Sequence, residues 1–244
     1  MFIGILLNVL VSFSVGIVSF LVYRSSRIVE IDYEILPLRS FGLFWFFMSA
    51  VWVLIASMDF LSYLTGETAL PEAFVFAPII MAYAFQVFVG LSVVMIARFI
   101  YITAIGQKGL TSFMYGYWAL YGIFLLALFT YGVQPWTRNF FARQITSPNE
   151  ALIVFVAMFT PLWLLGIKLF FETFYRRTGI QKQVANFLLF SSASLLLVGV
   201  AGLLDEAGLV YGWAVTAARL GSLVAAVLSY IGVFALHNPK ELVV

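Results

Sequence analysis

The sequence predicts an all-α membrane protein, a bundle of about seven transmembrane helices with the N-terminus outside and the C-terminus in the cytoplasm. Three observations predict it. Charged residues make up only 10% of the chain and hydrophobic ones 64%, whereas an ordinary soluble domain carries roughly 25% charge. The apolar residues come in blocks of about twenty, enough at about 1.5 Å per residue to cross a hydrocarbon core of roughly 30 Å. The basic residues also alternate. One set of connections, with its adjoining helix ends, receives Arg24, Arg27, Arg39, Arg98, Lys108, Lys168, Arg176, Arg177, Lys182 and Lys240, ten of the thirteen basic residues. The other set receives only Arg138 and Arg143, and Arg219 lies within the seventh block. Lysine and arginine in short loops remain cytoplasmic, so this bias sets the orientation. It would collapse if one block were added or lost.

The first block runs from about Phe2 to Val22, and its charges, Arg24 and Arg27, follow it. A signal peptide places its basic residues before the apolar run, so the segment reads as a retained helix inserted N-terminus out. The next blocks run over about Phe41–Leu64, Ala73–Ile100, Phe113–Val133, Ala151–Phe174, Val184–Leu204 and Tyr211–Leu236. Periodicity adds little, because a lipid-facing surface is as apolar as the core. No segment between blocks is long enough for a soluble domain, so 1–244 reads as one polytopic domain.

The connections carry local signals. Ser147-Pro148-Asn149-Glu150 reads as a capping box with proline at the first helical position of the fifth helix. Thr65-Gly66-Glu67 ends the second helix, and Pro71-Glu72 prepares the third. From Gln134 to Thr146, aromatics and arginines mix, which reads either as a segment lying on the membrane surface or as an irregular loop. Pro78 and Pro161 fall inside the third and fifth blocks, where proline removes a backbone hydrogen bond and kinks a helix. Lys168, Glu172 and Arg176 at four-residue spacing read as a solvated helix end.

Composition excludes several chemistries. With no cysteine there is no disulfide, thiolate nucleophile or iron–sulfur ligand. The single histidine, His237, excludes bis-histidine haem ligation and His-based zinc sites within the chain. HExxH, GxSxG and glycine-rich phosphate loops are absent from the sequence. A net charge of +2 makes no case for nucleic acid. No cofactor, metal or catalytic residue is predicted.

Polar residues inside a bilayer are the default functional candidates, because a charge there costs at least about 2.5–3.5 kcal/mol. Arg219 lies roughly two turns into the seventh helix. Asp59 falls near the outer end of the second helix, and Asp205 and Glu206 close the sixth on the same side. Asn8 and Gln86 fall in the outer or middle part of the membrane. One reading makes these an outward-opening polar pocket with Arg219 as its cation. The other makes Arg219 an ion-pair tie to Asp205 or Glu206, joining the last two helices. Ala217, Gly221, Ala225 and Ser229 repeat every four residues, and Ser191, Ser192, Ser194, Gly199 and Gly202 give the sixth helix small residues to match. Small stripes of this kind let membrane helices approach closely.

The seven-helix plan is similar to that of microbial rhodopsins, yet the seventh helix holds Arg219 and no lysine, which rules out a retinal Schiff base. In topology and in its aromatic-rich second helix the chain is also similar to seven-helix sensor modules of bacterial signalling proteins. The first and fifth helices end alike, in Tyr23-Arg24 and Tyr175-Arg176. The second and sixth align Phe44, Phe47, Ser49 and Ala50 with Phe187, Phe190, Ser192 and Ala193. This is either a 3+1+3 duplication or the common pattern of helices leaving a membrane inward. Three classes follow for a multi-pass protein of the cell membrane. One is a non-enzymatic receptor or sensor for a small, mostly apolar ligand, and another is an accessory subunit of a membrane complex. The third is a small 3+1+3 transporter. The bilayer is the first partner, and the first two classes add other membrane or signalling subunits.

Overall fold

In the computed structural model the described residues are 2–29, 37–64, 76–132, 134–138, 143–146, 148–175, 182–207 and 212–237. They form α1 (Phe2–Val29), α2 (Leu38–Leu64), α3 (Phe76–Ala104), α4 (Leu110–Tyr131), β1 (Gln134–Arg138), β2 (Arg143–Thr146), α5 (Asn149–Tyr175), α6 (Lys182–Ala207) and α7 (Gly212–His237). Each helix contains an apolar stretch of 20–27 residues, long enough to cross a bilayer. The chain is therefore a multi-pass integral membrane protein. Below, the upper end of the bundle is the one where α1 begins.

The helices start and stop where backbone chemistry requires. Pro37 offers its carbonyl to the Ser40 and Phe41 N–H groups at 3.1 and 3.2 Å, opening α2. Gly109 precedes α4 with φ +79°, and Gly132 follows it with φ +76° while its N–H bonds the Leu128 carbonyl. Side chains other than glycine rarely adopt such angles. α1 continues past its apolar block to Val29, since Arg24 and Arg27 are good helix formers and neither Gly nor Pro intervenes. α5 opens with the Leu152 N–H bonded to the Pro148 carbonyl, so Pro148 caps the helix rather than occupying its first position, and Ser147 is outside the described residues. The segments Thr65–Glu67 and Pro71–Glu72, residues 30–36, and Arg176 and Arg177 are also outside them.

Between α4 and α5 the chain forms an antiparallel hairpin. Gln134 pairs with Thr146, Thr137 with Gln144 and Arg138 with Arg143, with an irregularity between Gln134 and Thr137. This differs from an irregular loop. Thr137, Ile145 and Thr146 are β-branched, a type that favours strands, and pairing two strands satisfies backbone groups that α4 and α5 cannot reach. β2 rests against α2.

α1 packs on α2 and α7, α2 on α3, α3 on α5, α5 on α6, and α6 on α7. Six helices thus close a ring, and α4 lies outside it across the α3–α5 seam. Pro78 sits in the first turn of α3, where a proline costs little. Pro161 is inside α5 and leaves the Ala157 carbonyl without its helical donor. At the next carbonyl, Met158, the Tyr117 hydroxyl of α4 donates a bond of 3.0 Å. Lys168 and Glu172 form an exposed pair at 3.9 Å.

Bulky side chains fill the lower half of the ring. Phe41, Phe99 and Phe187, from α2, α3 and α6, are fully buried, and their ring centroids lie 4.9–6.0 Å apart. Trp45 and Phe44 stack edge-on beside them. In the upper half, Ala56, Ala82, Ala201, Ala214 and Ala218 are buried alongside Trp52, Met58, Gln86, Leu195, Val215 and Arg219.

Candidate functional site

Asn8, Ser12, Ser19 and Ser26 lie along one face of α1, spaced four, seven and seven residues apart, and all are buried. That spacing keeps them on a single helical stripe. Opposite the upper part of the stripe, α7 presents Thr216 and Arg219. The Thr216 hydroxyl donates to Asn8 Oδ1 at 3.1 Å, and Arg219 Nη1 donates to Ser12 Oγ at 3.3 Å. Arg219 is only 5% exposed and has a further interaction beyond this bond. A guanidinium carries five donors and stays charged at any physiological pH, so it belongs against protein rather than lipid.

The α1–α2 register fixes depth. Gly16 lies against Ser49, Trp52 and Val53, and Gly42 against Ser26 and Tyr23. Continued upward, this antiparallel register sets Asn8 level with the turn of α2 that carries Asp59. On the other side, Ser229 bonds Ser194 at 2.7 Å, and a Cβ on Gly221 would meet Ala201 Cβ at 3.7 Å. That register sets Asp205 and Glu206 level with Ala217 and Thr216, within a turn of Arg219. The side chains of Asp59, Asp205 and Glu206 are outside the described residues. Gln86 is buried on α3, whose neighbours are α2, α4 and α5, so it stands apart from the α1–α7 seam. The structure thus brings Asn8 and Arg219 together and leaves Gln86 elsewhere.

The small residues of α6 and α7 divide their work. Ala225 and Ser229 are fully buried, Gly221 approaches Ala201, and Gly232 lies against Phe187 and Phe190. Ala217 is half-buried. Gly199, however, faces α5: a Cβ there would collide with the Trp163 indole, and Gly202 has nothing within 4 Å. A small residue marks a close approach without naming the neighbour. Ser191 and Ser192 turn back to carbonyls of their own helix.

Among the described residues, four buried polar groups have no hydrogen-bond partner: Asn8 Nδ2, Ser19 Oγ, Trp45 Nε1 and Trp52 Nε1. A buried donor left unsatisfied costs about 1–3 kcal/mol. Trp45 lies edge-on to Phe41 and Phe44 within the aromatic cluster. The other three, on α1 and α2, lie above the aromatic cluster in the α1–α2 register. Sequence reading missed Ser12, Ser19, Thr216 and Trp52. The four–seven–seven spacing on α1 was the available signal.

Among the described residues no nucleophile is paired with a base, and no three His, Cys, Asp or Glu side chains are grouped to hold a metal ion. It can donate hydrogen bonds to a guest inside an apolar ring. No protein-family model matches the chain, and neither a curated protein nor a solved structure matches it.

Proposed function

We propose that the chain is a non-enzymatic, receptor-like module of the cell membrane, N-terminus outside, that holds a small, mostly apolar ligand in the upper half of its ring. It acts as a sensor, or as the ligand-holding subunit of a larger membrane complex, through contacts with another membrane or signalling subunit. One observation carries this reading: above a closed aromatic cluster, the buried Asn8 and Trp52 present unpartnered donors among alanines. Ligand sites in helical bundles have this composition, an apolar lining with a few placed polar groups.

The absence of cysteine makes the test clean. Single cysteines replace Val215 and Ala82 above, and Val233 and Ala97 below, all four buried. A membrane-impermeant thiol reagent added outside intact cells should label the upper pair and spare the lower. Protection of the upper pair, or labelling only from the cytoplasmic side, would refute the site or the orientation respectively.

A specific observation favours a second reading, the small 3+1+3 transporter. The ring contacts map onto themselves when α1–α3 are exchanged with α5–α7: α1·α2 with α5·α6, α2·α3 with α6·α7, and α1·α7 with α5·α3. Parallel repeats about an axis along the membrane normal have this property. A transporter would expose Val233→Cys and Ala97→Cys to the cytoplasm during its cycle; a receptor-like module keeps them closed.

A further inference from the structure

We infer that the ligand is a neutral, mostly apolar molecule bearing an acceptor oxygen, of the ketone or ether class, held by the Trp52 indole N–H with Asn8 and Ser19 to either side. This rests on the ligand-binding reading above and adds the chemistry of recognition. Trp52 fixes the sign, because an indole nitrogen only donates. It is 8% exposed, with Nε1 lacking a hydrogen-bond partner, and no aromatic ring pairs with it among the described contacts. Its depth is that of Gly16, between Asn8 two turns above and Ser19 one turn below on α1. Thr216 occupies the Asn8 carbonyl oxygen, which turns the amide nitrogen away from that bond as a second donor. Ser19 is fully buried and its hydroxyl is free to donate. Trp52 and Asn8 offer unpartnered N–H groups that only donate, the Ser19 hydroxyl can donate or accept, and no unpartnered carboxylate or carbonyl lies among the described buried side chains, so the set favours a guest that accepts. A hydrocarbon leaves the Trp52 N–H unpaired.

The probes are 2-undecanone and undecane, with the full chain in nanodiscs and its six tryptophans labelled with 15N. The ketone should shift the Trp52 indole resonance, assigned by its loss in Trp52→Phe, and leave Trp45 in place, two turns lower. Undecane should shift neither. Trp52→Phe should weaken ketone binding about five-fold, the worth of one net hydrogen bond, and thermal unfolding reads separately the stability lost with the smaller buried ring. If both probes bind and protect the upper cysteines while the Trp52 resonance stays fixed, the acceptor inference is wrong and the site reading stands. If neither probe binds and the upper cysteines are unreactive, both are wrong.

Discussion

Gly199 offers the sharpest test of the packing, because the structure gives two glycines on one helix opposite fates. An alanine Cβ at 199 would lie 2.5 Å from Trp163 Cδ1, closer still to Nε1, and 3.1 Å from Cε2. Carbon contacts are favourable near about 3.5–4.0 Å, so the indole must retreat by about 1 Å. Its N–H also gives up a long bond of 3.5 Å to the Leu196 carbonyl. Overpacking of this kind costs about 1–3 kcal/mol. Replacing glycine by alanine in a helix returns up to about 1 kcal/mol. The net loss is about 1–2 kcal/mol, which at 2–4 °C per kcal/mol for this size lowers Tm by roughly 2–8 °C.

Gly202→Ala is the matched control. It keeps the propensity gain and meets no atom within 4 Å, so its Tm should hold or rise by a few degrees. Trp163→Leu should remove the collision, and Gly199→Ala in that background should no longer destabilise, a coupling that only contacting residues show. Thermal unfolding of the purified variants in one detergent measures all four. Equal Tm changes for Gly199→Ala and Gly202→Ala would refute the α5–α6 packing.

Two further outcomes are expected. Gly221→Leu should destabilise the α6–α7 pair, because Ala201 Cβ already lies 3.7 Å from where a Cβ would sit, while Gly221→Ala should be tolerated; unchanged Tm for the leucine variant would count against that seam. Tyr117→Phe should cost about 1 kcal/mol, by removing the bond to the Met158 carbonyl beside Pro161, and an unaltered Tm would show that water or another group satisfies that carbonyl.

How much of this was legible depends on what a residue type can reveal. The seven spans were, because a block of twenty apolar residues has few alternatives in a cell. Asn8 and Arg219 were legible as rare polar residues within such blocks. Ser12, Ser19 and Thr216 were not, since serine and threonine in membrane helices commonly bond their own carbonyls, as Ser14 and Ser57 do here. The position of α4 outside the ring left no mark either, for its lipid-facing and protein-facing sides are equally apolar. The hairpin was hidden by its aromatics and arginines, which fit a surface segment as well as a strand. Gly199 was assigned to the wrong neighbour because glycine records closeness and not direction.

What replaces hydrophobic pattern in choosing partners is visible across the bundle. Between apolar helices in lipid there is little hydrophobic reason to prefer one neighbour. Among the described residues, most seams show a cross-helix hydrogen bond instead: Ser49 to the Gly16 carbonyl, Tyr121 to Val87, Tyr117 to Met158, Trp163 to Leu196, and Ser229 to Ser194. The α2–α3 seam uses stacked and tilted rings, Phe47 with Phe88 and Phe41 with Phe99. Such bonds average about 0.6 kcal/mol in membranes, enough to select a register and too little to hold a fold alone. The α1–α7 seam departs from this economy. It has two cross-helix bonds, a buried guanidinium, and an amide with one end unpartnered. A register marker needs none of that excess, and a guanidinium is the costliest group to place there. The surplus polarity is concentrated where the ring closes, above the aromatic cluster and beside Trp52, and that concentration makes the upper α1–α7 seam the place to look for a ligand.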